Sequence, residues 1–372
     1  MAWSNKVAKP LWFVLGFLIF GILMVYDASS GQATQVFNNK YYFLREQLKW
    51  AIIGLIAGFG AYFYDYRKLK RLVLPILLGT LVLLVAVFLP GIGVKAYGAS
   101  RWINLGFTVL QPSELAKLAV ILYLATWLTV REKSKLTAFL LLIGLVVGLI
   151  MAQPDMGTAI VLFSSALIIY YLSENQIWGL LALLPVMLSG VIVLVLRSPY
   201  RLKRLLTFFD PNTDPLGASY HIRQAQIAIG SGGFLGLGLG NSRQKYFYLP
   251  EATTDSIFAI IGEELGFVGA ALLIVAFAIF FFEAVKMTLR VEDPFGRLLG
   301  MGIITWLATQ TLINLGSIVA LMPLTGVPLP FISYGGSALV MELIGVGILA
   351  NIWHHSGCCL PSRFYNLLLF YN

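Results

Sequence analysis

Apolar residues run along this chain in long blocks separated by short polar stretches. Blocks near 11–27, 47–64, 72–90, 112–130, 136–152, 157–173, 177–196, 256–283, 297–320 and 329–352 are of the length a helix needs to cross ~30 Å of hydrocarbon. Their continuity excludes a transmembrane barrel, whose strands alternate, and lipid offers no partner to an open backbone, so the spans are helices. The pattern predicts an all-α polytopic membrane protein with about ten transmembrane helices and one long extracellular loop, 197–255, between helices 7 and 8. One transmembrane domain is expected over 1–353. The first block follows Lys6 and Lys9 as in a signal peptide, but the later spans predict an uncleaved first helix.

Composition agrees: 59% of residues are hydrophobic and 12% charged, against about 25% charged in soluble domains. The net charge of +9 does not point to nucleic acid, because Lys and Arg gather in cytoplasmic loops and near anionic headgroups. Short loops on one side hold Lys6, Lys9, Arg67, Lys68, Lys70, Arg71, Arg131, Lys133, Lys135, Lys286, Arg290 and Arg297. Those on the other side hold only Lys40, Arg45, Lys49, Lys95 and Arg101. The positive-inside rule therefore predicts cytoplasmic termini and places 197–255 outside. Yet this loop is basic too (Arg197, Arg201, Lys203, Arg204, Arg223, Arg243, Lys245), and an anionic ligand on the outer face is one cause. There is no Gly-Lys dipeptide, hence no Walker A site. Cys358 and Cys359 are adjacent and carry neither a disulfide framework nor zinc spacing.

Polar residues inside or beside the spans are the candidate chemistry. Glu114 and Lys117 are i,i+3 neighbours on a helix that Pro112 opens. They form either a self-neutralising pair near the headgroups or a pair whose lysine faces a cavity and meets a carboxylate or phosphate. Glu263 and Glu264 lie roughly 12 Å along the eighth span from Asp255, at 1.5 Å per residue; Glu342 lies within the tenth. Such carboxylates must be paired, protonated or wet, and an internal network holding helices together explains them as well as catalysis does. Asp155, in Gln153-Pro154-Asp155-Met156-Gly157, reads first as a turn residue and helix cap. Asp255 stands directly before the run Ser256–Ile261 and is either an N-cap or a partly desolvated carboxylate able to act as a general base. Gly230-Ser231-Gly232-Gly233 and Gly236-Leu237-Gly238-Leu239-Gly240 follow no strand, so they are not a dinucleotide fingerprint; they allow tight turns and close backbone approach. The flanking Phe234, Leu235, Tyr246, Phe247, Tyr248 and Leu249 predict a loop lying on the membrane surface. Pro323, Pro328 and Pro330 exclude a plain helix over 322–337 and suggest a re-entrant element, tolerated only where buried or lining a cavity.

Several of these segments, in this order and spacing, resemble the SEDS family (shape, elongation, division and sporulation). They are Gln111-Pro112-Ser113-Glu114-Leu115-Ala116-Lys117, Gln153-Pro154-Asp155-Met156-Gly157-Thr158-Ala159, Ala228-Ile229-Gly230-Ser231-Gly232-Gly233, Tyr248-Leu249-Pro250-Glu251, Thr254-Asp255, Gly262-Glu263-Glu264-Leu265-Gly266 and Pro328-Leu329-Pro330-Phe331-Ile332-Ser333-Tyr334-Gly335-Gly336-Ser337. The resemblance covers about 11–352. It implies a bacterial glycosyltransferase that polymerises lipid II into peptidoglycan strands and releases lipid pyrophosphate, partnered by a class B penicillin-binding protein that crosslinks them. The stretch 321–330 looks more like the RodA branch, which serves elongation and cell shape; 243–251 looks more like the FtsW branch, which serves division. The balance falls on RodA and the elongation machinery. The family's essential acid falls on Asp255, the lysine thought to approach it on Lys117, and Glu114 also matches. Arg223, Arg243, Lys245, Asp155, Glu251 and Ser333 are the substrate-binding candidates. No cofactor is required by the sequence, and a divalent cation, Mg or Mn, is compatible with a pyrophosphate leaving group. The chain departs from the family's usual His-Thr-Asp-Phe, reading Thr253-Thr254-Asp255-Ser256. The tail 354–372 matches nothing expected and reads as an artefact of cloning or reading frame. The rival readings are a lipid II flippase, for which polar sites at mid-membrane are expected, and a scaffold that only recruits partners.

Overall fold

The computed structural model describes residues 5–96, 99–104, 106, 108–130, 136–174, 199–209, 217–246 and 248–355. Its helices are α1 (Asn5–Phe37), α2 (Tyr42–Phe63), α3 (Val73–Ala86), α4 (Pro112–Thr129), α5 (Leu136–Ala152), α6 (Met156–Glu174), α7 (Pro199–Phe209), α8 (Ala218–Gly232), α9 (Ile257–Thr288), α10 (Pro294–Ile318) and α11 (Gly336–His355), with a 3-10 turn at Tyr66–Arg71. The predicted spans fall on α1–α6 and α9–α11; the seventh, 177–196, lies outside the described residues, as do 356–372. α1, α6, α9, α10 and α11 contain stretches long and apolar enough to cross a membrane, and α3 and α5 are shorter apolar helices.

Two boundaries differ from the hydropathy reading. α1 continues past residue 27 to Phe37, because Ser30 and Thr34 turn their hydroxyls back onto the carbonyls of Asp27 and Ser30 and leave the helix unbroken. α11 begins at Gly336 rather than near 329, because the prolines at 328 and 330 prevent helix. The preceding coil tucks into the bundle, with Leu329, Phe331, Ile332 and Ser333 all buried. A small antiparallel sheet, unforeseen in an all-α reading, joins α3 to α4: β1 (Gly93–Ala96), β2 (Ala99–Asn104) and β3 (Val109–Leu110), in that order. From β2, Arg101 donates to the carbonyls of Gln153 (3.2 Å) and Pro154, tying the sheet to the α5–α6 turn.

α4, α10 and α11 form the interior. α2 lies along α11 at close range: a Cβ on Gly58 would stand 2.7 Å from the Leu343 carbonyl oxygen, and one on Gly347 would meet the Gly58 carbonyl. Small residues at the seam are what allow that approach. α9 is peripheral. It turns Phe277, Phe280 and Ala284 inward, with Phe277 stacked on Phe17 of α1 at 4.2 Å, and leaves Leu272, Val275 and Phe282 outward.

α9 is broken at Gly266 (φ 66°, ψ −168°), a conformation open to glycine and strained for other residues. The loop after α8 occupies the break. Leu237 and Gly238 donate to the carbonyls of Glu263 (3.0 Å) and Glu264 (2.9 Å), while Phe267 and Val268 donate to those of Gly233 (2.9 Å) and Phe234 (3.2 Å). These four groups, freed by the break, are re-satisfied, as hydrocarbon requires.

Among the described residues, the basic short loops around Lys9, Lys70 and Lys286 lie at one end of the bundle. Lys70 sits 4.6 Å over the ring of Phe295 at the start of α10, and Lys9 lines a recess with Lys286 and Arg290 at the end of α9. Asp255 stands at the other end of α9, beyond Ile257.

Candidate active site

Two polar constellations converge on one face of α10. The first starts at α4. Gln111 is extended, Pro112 opens the helix, and Glu114 and Lys117 project from its first turns. Lys117 Nζ lies 2.7 Å from Glu114 Oε2, and both side chains are buried. It also donates to Gln310 Oε1 (2.9 Å) and lies 4.9 Å from the centroid of the Trp306 ring. Trp306 Nε1 donates to the same Gln310 oxygen (2.8 Å), and Gln310 Nε2 donates to Glu342 Oε1 (2.9 Å) and the Pro328 carbonyl (3.1 Å). The Phe331 amide donates to Glu342 Oε2 at 2.8 Å. Glu114, Lys117, Gln310 and Glu342 thus form one dry chain of polar groups linking α4, α10, α11 and the coil before α11.

The second constellation holds Asp255. Tyr334 N donates to the carbonyl of Thr253 (2.8 Å), Ser333 Oγ to that of Thr254, and Asn314 Nδ2 to that of Asp255 (2.7 Å). Three successive peptides are thereby fixed from the coil before α11 and from α10. The half-buried carboxylate lies 3.2 Å from Thr254 Oγ1, whose one proton it shares with Glu251. It does not cap α9: the N-cap position belongs to Ser256. Burial pushes the Asp255 carboxyl up to about 7, helped by the charge of Glu251; its own backbone N–H, Thr254 and the Arg204 guanidinium oppose the rise. A carboxyl so placed can take a proton at neutral pH.

Gln310 and Asn314 are i,i+4 on α10, about 6 Å apart along its axis. Lys117 is bonded to the first and the Asp255 backbone to the second. The structure therefore sets Lys117 and Asp255 against neighbouring turns of one helix, with the ammonium engaged by Glu114 and Gln310 rather than by Asp255.

The other sequence candidates divide. Asp155 accepts from Thr158 N (3.2 Å), capping α6, and from Gln111 Nε2 (3.2 Å) and Ser113 Oγ (3.1 Å), pinning the start of α4. Lys245 is buried, 2.8 Å from Glu264 and 3.0 Å from Asp27; its charge clamps the loop to α9 and α1. Ser333 is buried and works on backbone, donating to Thr254 and accepting from Leu329 N (2.9 Å). Glu251 is exposed and accepts from Thr254 Oγ1 (2.9 Å). Arg223 and Arg243 are exposed. Glu263 and Glu264 receive backbone amides of the loop, Arg243 (3.0 Å), Gln244 (3.3 Å), Ser242 (3.0 Å) and Gly240 (3.2 Å), and so serve as an anchor rather than a polar path.

The structure adds residues the sequence reading passed over. Gln310 and Asn314 are amides one turn apart in an apolar helix, and that spacing was the available signal. Arg204 of α7, legible in the sequence only as one of the loop's cations, donates to the Leu324 carbonyl (2.8 Å), and its charge acts on both Asp255 and His221. Among the described residues no three His, Cys, Asp or Glu side chains gather into a metal pocket.

Fold and site together define a polytopic all-α membrane enzyme with a poised acid at one end of its bundle. A family model described as cell cycle protein, FTSW_RODA_SPOVE, matches residues 8–357. The chain belongs to this family, the SEDS proteins that its motifs resemble, and is a peptidoglycan glycosyltransferase. It is 40% identical over 339 residues to the probable peptidoglycan glycosyltransferase FtsW of Geobacter sp. (strain M18), covering 90% of this chain and 92% of that one. A solved structure described as showing structural coordination of polymerization and crosslinking by a peptidoglycan synthase complex superposes with a TM-score of 0.79 at 28% identity, covering 95% of this chain and 99% of that one. The Rod shape determining protein RodA of Thermus thermophilus superposes with a TM-score of 0.69 at 27% identity, over 94% and 97%.

Proposed function

We propose that this enzyme builds glycan strands from lipid II at the outer face of the bacterial inner membrane, with Asp255 as general base. Asp255 takes the proton of the acceptor sugar's 4-hydroxyl as that oxygen attacks the donor anomeric carbon. The bond from that carbon to the pyrophosphate breaks, its electron pair leaves with the lipid pyrophosphate, and the carbon inverts. A positioned base is worth about 10²–10⁴ in rate. The exposed Arg223 and Arg243 supply cations for the leaving group, since Lys245 is already neutralised inside the fold. Lys117, with Glu114, holds the floor beneath the reacting groups through Gln310.

One observation carries this reading: a half-buried carboxyl raised to about 7 whose backbone is anchored from two other elements and which caps no helix. The test is purified protein with lipid II. Folded Asp255→Asn protein should make no polymer above background; parental synthesis would remove Asp255 as the base.

Both termini are placed in the cytoplasm, a reading supported by the gathering of Lys9, Lys70, Lys286 and Arg290 at the end away from Asp255. A class B penicillin-binding protein is proposed as the crosslinking partner, supported by the likeness to a complex that coordinates polymerization and crosslinking. Co-purification from membranes tests this. The stretch 321–330 points to elongation and cell shape. A second reading, division, is favoured by 40% identity to a relative named FtsW against 27% to RodA. Depletion separates them: rounded cells mean elongation, filaments mean division.

A further inference from the structure

Thr253-Thr254-Asp255-Ser256 is held from outside at each of its four residues. The first three are held by their carbonyls, from Tyr334, Ser333 and Asn314. The fourth is held by its side chain: Ser256 Oγ and His221 Nε2 share a hydrogen bond of 2.5 Å. His221 comes from α8, which also meets α9 at Gly232 and Gly262 and through Ser231 Oγ, which donates to Glu263 Oε1 (3.4 Å). Ser256 is fully buried, His221 half-buried.

The hydroxyl of a serine at a helix N-cap ordinarily accepts from the amide two or three residues on. Ser256 occupies that position in α9 and makes no such bond. Its hydroxyl is drawn sideways to His221 instead. Burial, with the Arg204 charge, pushes the His221 imidazole down to about 4, so it is neutral at working pH and adds no charge beside the carboxylate. The Asp255 side chain leaves the backbone between the Thr254 carbonyl held by Ser333 and its own carbonyl held by Asn314, and Ser256 follows directly. Of the four anchors, only His221 reaches the tetrapeptide from the long loop's own helices.

We propose that His221 is a positioning residue for glycosyl transfer: through Ser256 it sets the direction of the Asp255 carboxylate. The proposal rests on the reading of Asp255 as the base. Loss of the imidazole frees Ser256 Oγ to fall back into the N-cap, which turns the residue next to Asp255 while compensating the helix. Activity should therefore suffer where stability does not.

The experiment uses the full chain and lipid II, comparing His221→Ala, His221→Gln, Ser256→Ala, the His221→Ala/Ser256→Ala double variant and Asp255→Asn. His221→Ala should lower kcat by about tenfold or more, as displaced catalytic groups do, with an unchanged KM and melting temperature. His221→Gln, whose amide can still bond Ser256, should recover much of the loss. Ser256→Ala should match His221→Ala, and the double variant should be no worse than either. Parental kcat in His221→Ala, or losses that multiply in the double variant, overturns the proposal. If His221→Ala does not fold, Ser256→Ala breaks the same bond from the other side and decides in the same way. Parental activity in Asp255→Asn would instead sink the base assignment, whatever His221 does.

Discussion

At Asp255 the burial that costs stability is also what readies the carboxyl for proton transfer. Its pKa is raised from 3.8 to about 7. As the proposed base it must be ionised, so polymerisation should rise with pH through about 7 and then level, read from a pH–rate profile of kcat. The stability sign is opposite. A carboxyl raised in the folded state favours folding while protonated, and that advantage is lost as pH climbs from the unfolded value toward 7. Asp255→Asn should therefore melt higher than the parent at pH 8, with the gap closing as pH falls from about 7 to about 4. Lys117 is a different case. Buried against Glu114, Gln310 and Trp306, it cannot be removed alone without stranding a carboxylate. Lys117→Met should cost about 3–5 kcal/mol in thermal unfolding, and Glu114→Gln/Lys117→Met should regain most of it. Activity returning with stability in the double variant would show that the pair only holds helices.

At the scale of elements, the site depends on irregular backbone placed where helix would be the easier structure. The break in α9 at Gly266 lets the glycine-rich loop after α8 hydrogen-bond into the bundle, and Glu263, Glu264 and Lys245 lock it there. A Cβ at Gly266 would meet the backbone of Leu235 (2.7 Å) and Phe234 (2.7 Å) in a conformation that already strains any other residue. Gly230 has nothing within 4 Å. Gly266→Ala should thus lower the melting temperature by several degrees and reduce glycan synthesis, while Gly230→Ala leaves both near parental; equal behaviour would show that the loop does not need the break. The coil before α11 plays the same part on the other side, with Ser333 and Tyr334 presenting donors to the Thr253–Thr254 backbone.

At the scale of the whole molecule, the bundle is polar end to end. Basic loops gather where α9 ends and α10 begins, and the poised acid lies where α9 starts. With Cys358 and Cys359 replaced by serine, a cysteine at Leu239, which is 66% exposed in the loop after α8, should react with a membrane-impermeant thiol reagent in intact spheroplasts. One at exposed Lys68 should react only after lysis. The reverse pattern would invert the orientation and place the proposed chemistry on the wrong side for a cell wall.

The sequence alone located the spans of α1–α6 and α9–α11, because hydrocarbon forces each span to satisfy its own backbone; it did not give the ends of α1 and α11 or the helices α7 and α8 inside the long loop. It also singled out Asp255, Glu114 and Lys117, since charges are scarce in such a chain and each needs a reason. It left the reasons open: Asp255 read equally as a cap, and Glu263, Glu264 and Asp155 as structure or chemistry. Tertiary structure separated them, because a carboxylate's role depends on which donors reach it. Glu263 and Glu264 meet loop amides, and Asp155 meets a helix start; Asp255 is held by its backbone while its carboxyl remains poised. The partners that make this difference, Gln310, Asn314, Ser333 and His221, lie between 35 and 193 residues away from the groups they hold. Local pattern carries no information over that separation; only packing of the helices brings them together.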